Sequence, residues 1–228
     1  MELLWSDFLN SEWRDWRGSG QTEDRLDSGE WYVYMTKRWD LPPLGVERAS
    51  KGAESAGAEK RESASDLPSE TGTGSVIEAA AWAPRELPAS AERDAMRAFR
   101  QRLLRMAQTL SEGRELTEAD ITALNAVMSA GPVTRRLLPA EAGGRSGLRL
   151  GHVPAGGGTA QWMAEVAASF AATAAIGDGT RVHFCDNADC RWVYYDDTRS
   201  RTKRYCEDRT CGNLMKVRRF RARQKLER

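Results

Sequence analysis

Apolar residues recur at helical spacing along much of this chain. Leu4, Trp5, Phe8 and Leu9 suit a short helix, and Trp13 and Trp16 continue one face at i, i+3. A second helix is predicted over Trp31–Trp39, closed by Pro42-Pro43. Three longer periodic segments follow. Residues 90–112 align Met96, Phe99, Leu103, Met106/Ala107 and Leu110, with Arg and Gln opposite. Thr117 and Asp120 read as a capping box before Ile121, Leu124, Val127 and Met128, and Gly131-Pro132 ends that helix. Thr159–Ile176 turns Trp162, Val166, Phe170 and Ala174 inward. Between the last two, Leu148–Leu150 and His152-Val153 read as a short hairpin.

Two stretches break this pattern. Residues 45–75 hold five Gly, five Ala and six Ser, with only Val46 and Leu67 as larger apolar side chains. Such a stretch cannot bury enough surface to offset its ordering entropy, which predicts a flexible insertion. From Arg181 onward, short apolar pieces alternate with charged turns, and a basic helix is predicted from about Gly212 to Leu226. The expected fold is mainly α (α+β): a helical N-terminal domain with a short β-hairpin over 1–179, then a small second module ending in the basic helix over 180–228.

Charge divides at the same place. The formal net charge is only +1, yet residues 180–228 hold 14 Lys/Arg against 7 Asp/Glu, which leaves an acidic body before a basic tail. No membrane span is expected, because the apolar stretch from Met163 to Ile176 is short and interrupted by Glu165. The N-terminal residues carry acids where a secretory signal needs positive charge, so a cytoplasmic protein with reduced thiols is expected.

All four cysteines fall in the basic tail. Cys185-x4-Cys190 and Cys206-x4-Cys211 repeat one spacing, with 15 residues between the inner pair. Four soft sulfur donors match one tetrahedral Zn²⁺, and four protein ligands leave no open position, so the metal is structural. Unconnected buried thiols and two disulfides are the competing readings; the first leaves the repeated spacing unexplained, and the second suits an oxidising compartment. Residues 191–195 and 201–205 are predicted to run out and back as a hairpin. First-turn N–H groups of the final helix are expected to donate to Cys211, completing a treble-clef-like module.

That final helix places Lys216, Arg218, Arg219, Arg221, Arg223 and Lys225 within ten residues. Leu214, Val217, Phe220 and Met215 form a narrow stripe that could dock on the hairpin. Cations at this density suit phosphate contacts on DNA. The alternative is a solvated helix that packs on the acidic body, in a zinc-stabilised protein-interaction module without DNA binding.

The run Cys185-Asp-Asn-Ala-Asp-Cys190-Arg-Trp-Val-Tyr-Tyr-Asp, then Thr198-Arg-Ser-Arg201, then Arg204-Tyr-Cys206-Glu-Asp-Arg-Thr-Cys211-Gly212-Asn213 closely resembles the bacterial CGNR zinc finger. The family's fourth letter is Arg, where Leu214 stands here, so one implied phosphate contact is replaced by an apolar side chain. Asp7-Phe8-Leu9-Asn10 and the order of helices behind it resemble the ABATE domain that precedes this finger. The resemblance implies a stress-related, DNA-binding transcription regulator whose N-terminal domain senses a small-molecule effector.

Within that domain, Asn10, Trp13, Arg14 and Trp16 are candidates to line a ligand pocket, against the alternative that the tryptophans are simply core. No enzyme is expected. Neither histidine has a Ser or Cys partner at a recognisable spacing, and no H-E-x-x-H or P-loop motif occurs.

Overall fold

The computed structural model describes residues 3–42, 44, 87–139 and 147–227. The insertion predicted at 45–75 lies outside the described residues. Helix α1 (Leu4–Leu9) buries Leu4, Trp5, Phe8 and Leu9, and ends at Asn10. The predicted helical face does not continue to Trp13 and Trp16. Strand β1 (Glu12–Arg14) instead pairs antiparallel with β2 (Thr22–Asp24), Trp13 opposite Glu23. The seven residues between them turn through Gly18 and Gly20, both at positive φ, where a side chain would be strained. Two glycines outweigh an i, i+3 tryptophan pair.

Helix α2 (Gly29–Trp39) buries Trp31, Tyr32 and Met35. Helix α3 (Ser90–Ser111) buries the predicted stripe together with Arg100. Helix α4 (Glu118–Ser129) begins with the predicted capping box, Thr117 and Asp120 each accepting from the other's backbone N–H. Of its apolar face only Leu124 is buried, and Ile121 remains 49% exposed. The chain then forms β3 (Val133–Pro139) and β4 (Leu148–Pro154), paired from Val133↔Pro154 to Pro139↔Leu148. The hairpin predicted inside 148–153 is therefore one strand of a longer ribbon, its partner hidden in a segment that reads as Gly- and Arg-rich. Helix α5 (Gly158–Ala175) buries Trp162, Val166 and Phe170.

Helices α1, α2, α3 and α5 close around one aromatic core. Trp5 meets Phe170 edge-on with centroids 5.6 Å apart, and Trp162 lies 6.3 Å from Trp31. Each of the indoles of Trp5 and Trp162 has a partner for its N–H: Trp5 donates to Thr173 Oγ1 at 2.9 Å and Trp162 to the Pro42 carbonyl at 2.6 Å. The same cluster takes in Val182 and Val193 from the C-terminal module. Body and finger share their packing. Among the described residues no helix is long and apolar enough to cross a membrane.

A charged knot fastens β2 to α3. Arg100, 4% exposed, donates to Asp24 Oδ1 at 2.7 Å and Oδ2 at 2.9 Å, and to Ser11 Oγ at 2.7 Å. Arg97 adds a third bond to Asp24 at 2.9 Å. Burial pushes the Asp24 carboxyl up, but the Arg100 and Arg97 hydrogen bonds overcome it and hold the pKa at about 2. Its folded value lies below its unfolded value, so the stabilisation is complete above about pH 4 and is lost as pH falls towards 2. Thermal unfolding of wild type and Asp24→Asn should therefore differ at pH 6 and converge near pH 2, the lost contribution being about 2 kcal/mol. A constant difference across that range would show that the carboxylate charge is not the source.

Candidate metal centre and basic helix

The finger starts as a hairpin, but a different one from that predicted. Strand β5 (Val182–Phe184) pairs antiparallel with β6 (Val193–Tyr195), and the Cys185 N–H continues the ladder to the Trp192 carbonyl at 2.9 Å. The first cysteine pair thus sits at the hairpin's tip. The predicted return strand over 201–205 does not pair with β6. A buried carboxylate closes that loop instead: Asp196 accepts from the N–H groups of Thr198 (2.9 Å) and Lys203 (3.0 Å). Tyr194 Oη ties down the Lys203 carbonyl at 2.5 Å, and the Asp186 N–H donates to Arg204 O at 2.9 Å. The second cysteine pair is thereby returned to the tip.

All four sulfurs then lie within 4.8 Å of one another, with Cys190–Cys206 at 3.8 Å and Cys206–Cys211 at 3.9 Å. A tetrahedral ion with Zn–S bonds of about 2.3 Å requires sulfurs about 3.8 Å apart, so the cage fits Zn²⁺. Crowding adds a chemical argument. Hydrogen bonds from Cys190 and Cys206 hold the Cys185 thiol far below its usual range, while proximity to Cys185 drives Cys190 and Cys206 upward. Thiolates this close repel one another, and a divalent cation removes the conflict. The backbone N–H groups of Asn187 and Cys206 also favour the Cys185 thiolate, and that of Trp192 favours the Cys190 thiolate. At Cys211 the donor is the Asn187 side chain at 3.5 Å, from across the cage, in place of the helix N–H groups expected.

Asn187 is wholly buried, a role that Asn between two metal-binding cysteines signals only as a turn. Its amide also donates to the Trp16 carbonyl at 2.8 Å, joining cage to body. Asn10 makes a second joint. It accepts from the Val193 N–H and donates to the Val193 carbonyl, both at 2.8 Å, as a neighbouring strand would, while Ser6 Oγ reaches the same carbonyl at 2.9 Å.

Those bonds account for Asn10, 4% exposed, as a docking residue. It borders a different cavity from Trp13 and Trp16. These two, with Arg14, Tyr34, Trp192 and Tyr194, line a space of about 500 Å³ between the body and the finger. Arg14 borders both cavities and pairs with Glu12 at 2.6 Å.

Helix α6 (Asn213–Leu226) leaves the cage directly after Cys211 and buries none of its residues. Met215 is half-buried against the cage, but Val217 and Phe220 stand 38% and 61% exposed, so the apolar stripe does not dock on the hairpin. Lys216, Arg219, Arg221, Arg223 and Lys225 are exposed. Arg218 differs: it donates to Asp189 at 2.8 Å and to the Arg17 carbonyl at 2.9 Å.

Two family models match the chain. One, described as CGNR zinc finger, covers residues 181–224; the other, ABATE, described as "Putative stress-induced transcription regulator", covers residues 2–177. No curated protein matches it.

Proposed function

Because the chain belongs to the ABATE family and carries a CGNR zinc finger, we propose that it is a cytoplasmic transcription regulator that holds DNA through α6. One observation carries this reading: five cations stand exposed on a helix that buries nothing and is anchored at its first turn by the metal cage. A short helix is marginal in water, so the zinc on its four thiolates supplies nucleation that the sequence of α6 does not. The zinc acts structurally, since four thiolates leave it no position open for catalysis, and in this reading the chain binds rather than catalyses.

Anisotropy titrations of duplex DNA with the zinc-loaded protein test this. Affinity should fall steeply with salt, and Lys216→Ala, Arg219→Ala, Arg221→Ala and Arg223→Ala should each weaken binding to most sequences and flatten the log–log salt slope by about one unit. Unchanged affinity after removing all four cations would leave α6 as a protein-interaction element.

The effector belongs, in this reading, to the cavity between body and finger. Its aromatic walls suit a planar molecule, with Arg14 and Lys203 balanced by Asp7 and Glu207 at its edge. A thermal-shift screen of small planar aromatic compounds should yield ones that stabilise wild type and not Trp13→Ala. Shifts that persist in the variant would place their binding elsewhere.

A further inference from the structure

The turn between β1 and β2 lies against both the first cysteine pair and α6. Asn187 reaches the Trp16 carbonyl at 2.8 Å. One residue on, the Arg17 carbonyl accepts from Arg218 Nη2 at 2.9 Å, while Arg218 Nη1 holds Asp189 at 2.8 Å. One fork therefore joins α6, the cysteine turn and the body. Gly18 makes room for it: at φ +90°, a Cβ there would stand 2.8 Å from Asp189 Oδ2 and 3.0 Å from Arg218 Nη2. The Arg17 guanidinium covers the Trp16 ring at 4.3 Å, which stiffens the turn from behind.

Little else fixes the direction of α6. Its apolar side chains beyond Met215 are exposed, and the cage holds only its beginning. A helix so attached can pivot about Cys211, and Arg218 lies about two turns further along. We infer that Arg218, Asp189 and Gly18 form a clasp by which the N-terminal body sets the direction of α6, so that Arg218 is a positioning residue and not one of the phosphate contacts. This rests on the reading of α6 as the DNA-binding element. An isolated half-exposed ion pair contributes little stability. Here its effect is on orientation, because the same guanidinium bridges three separate segments.

The test uses the full zinc-loaded chain and one duplex, titrated across a salt series. Arg219→Ala is the reference for a lost phosphate contact and should flatten the salt slope by about one unit. Arg218→Ala should weaken binding roughly tenfold with the slope unchanged. Arg218→Lys should behave as Arg218→Ala, because an ammonium keeps the charge but cannot span the two acceptors. In Gly18→Ala the methyl meets Asp189 Oδ2 and Arg218 Nη2 and also strains the turn at φ +90°, so it should open the clasp and weaken binding by a similar factor. Combined with Arg218→Ala it should add little.

Zinc content and melting temperature of each variant establish that the fold is kept. A slope flattened by Arg218→Ala and restored by Arg218→Lys would overturn the clasp. Amide exchange in the free protein separates this inference from the DNA reading. Arg218→Ala and Gly18→Ala should speed exchange in α6 beyond Met215, and unchanged exchange overturns the clasp whatever DNA does. Faster exchange in a protein that binds no duplex supports the clasp and overturns only the DNA reading.

Discussion

Stripping the zinc with a chelator should dismantle the chain from about Asp196 to its end while the helical body stays folded. Metal binding supplies about 10–16 kcal/mol to isolated zinc-finger peptides at neutral pH, more than a segment with this little packing can replace. Cys→Ala at Cys185, Cys190, Cys206 or Cys211 should do the same, since three thiolates and no fourth ligand leave an open cage. The boundary of the loss is the informative part. Val182 and Val193 are 0% and 2% exposed in the body's own core, and Asn10 binds the Val193 backbone from the other side. Strands β5 and β6 should therefore keep amide protection in the apo-protein while α6 loses it. Loss of protection throughout β5, β6 and α1 would mean instead that the metal stabilises the body as well.

Asp24→Ala should destabilise the body by about 3–5 kcal/mol, because it leaves Arg100 charged, almost fully buried and short of its two strongest acceptors. The Arg100 Nε already has no hydrogen-bond partner, which leaves the cation only Ser11 Oγ at 2.7 Å and the Glu12 carboxylate at 3.9 Å. Arg100→Met should cost less, since the carboxylate left behind is partly exposed and keeps its 2.9 Å bond to Arg97. Adding Arg100→Met to Asp24→Ala should recover most of the lost stability. Denaturant unfolding of the three variants measures this, and strict additivity would show that the two residues do not act as a pair. The site is relevant to function because β2 carries Asp24 and holds β1, and the turn joining these strands is the part of the body that grips α6.

The sequence alone determined the metal centre and the helices. Two identical cysteine spacings specify four thiolates, and one tetrahedral ion satisfies them whatever surrounds the loop. Helices α1 to α5 are legible for a related reason. Met96, Phe99, Leu103 and Leu110 repeat with the period of the helix itself, and the Thr117–Asp120 cap needs only its neighbours. The basic stripe of α6 is similarly local. Tertiary structure decided what depends on distant partners. Strands β1, β2, β5 and β6 have three residues each, too few to show a period of two, and their pairing follows from glycine turns and from the surface available to pack on. Arg100 reads as one polar position among several on α3 until folding brings Asp24, 76 residues earlier, against it. Asn10 meets Val193 across 183 residues, and Arg218 meets Arg17 across 201. A buried or bridging polar side chain is defined by the groups that replace its water, and those groups are neighbours only in the folded chain.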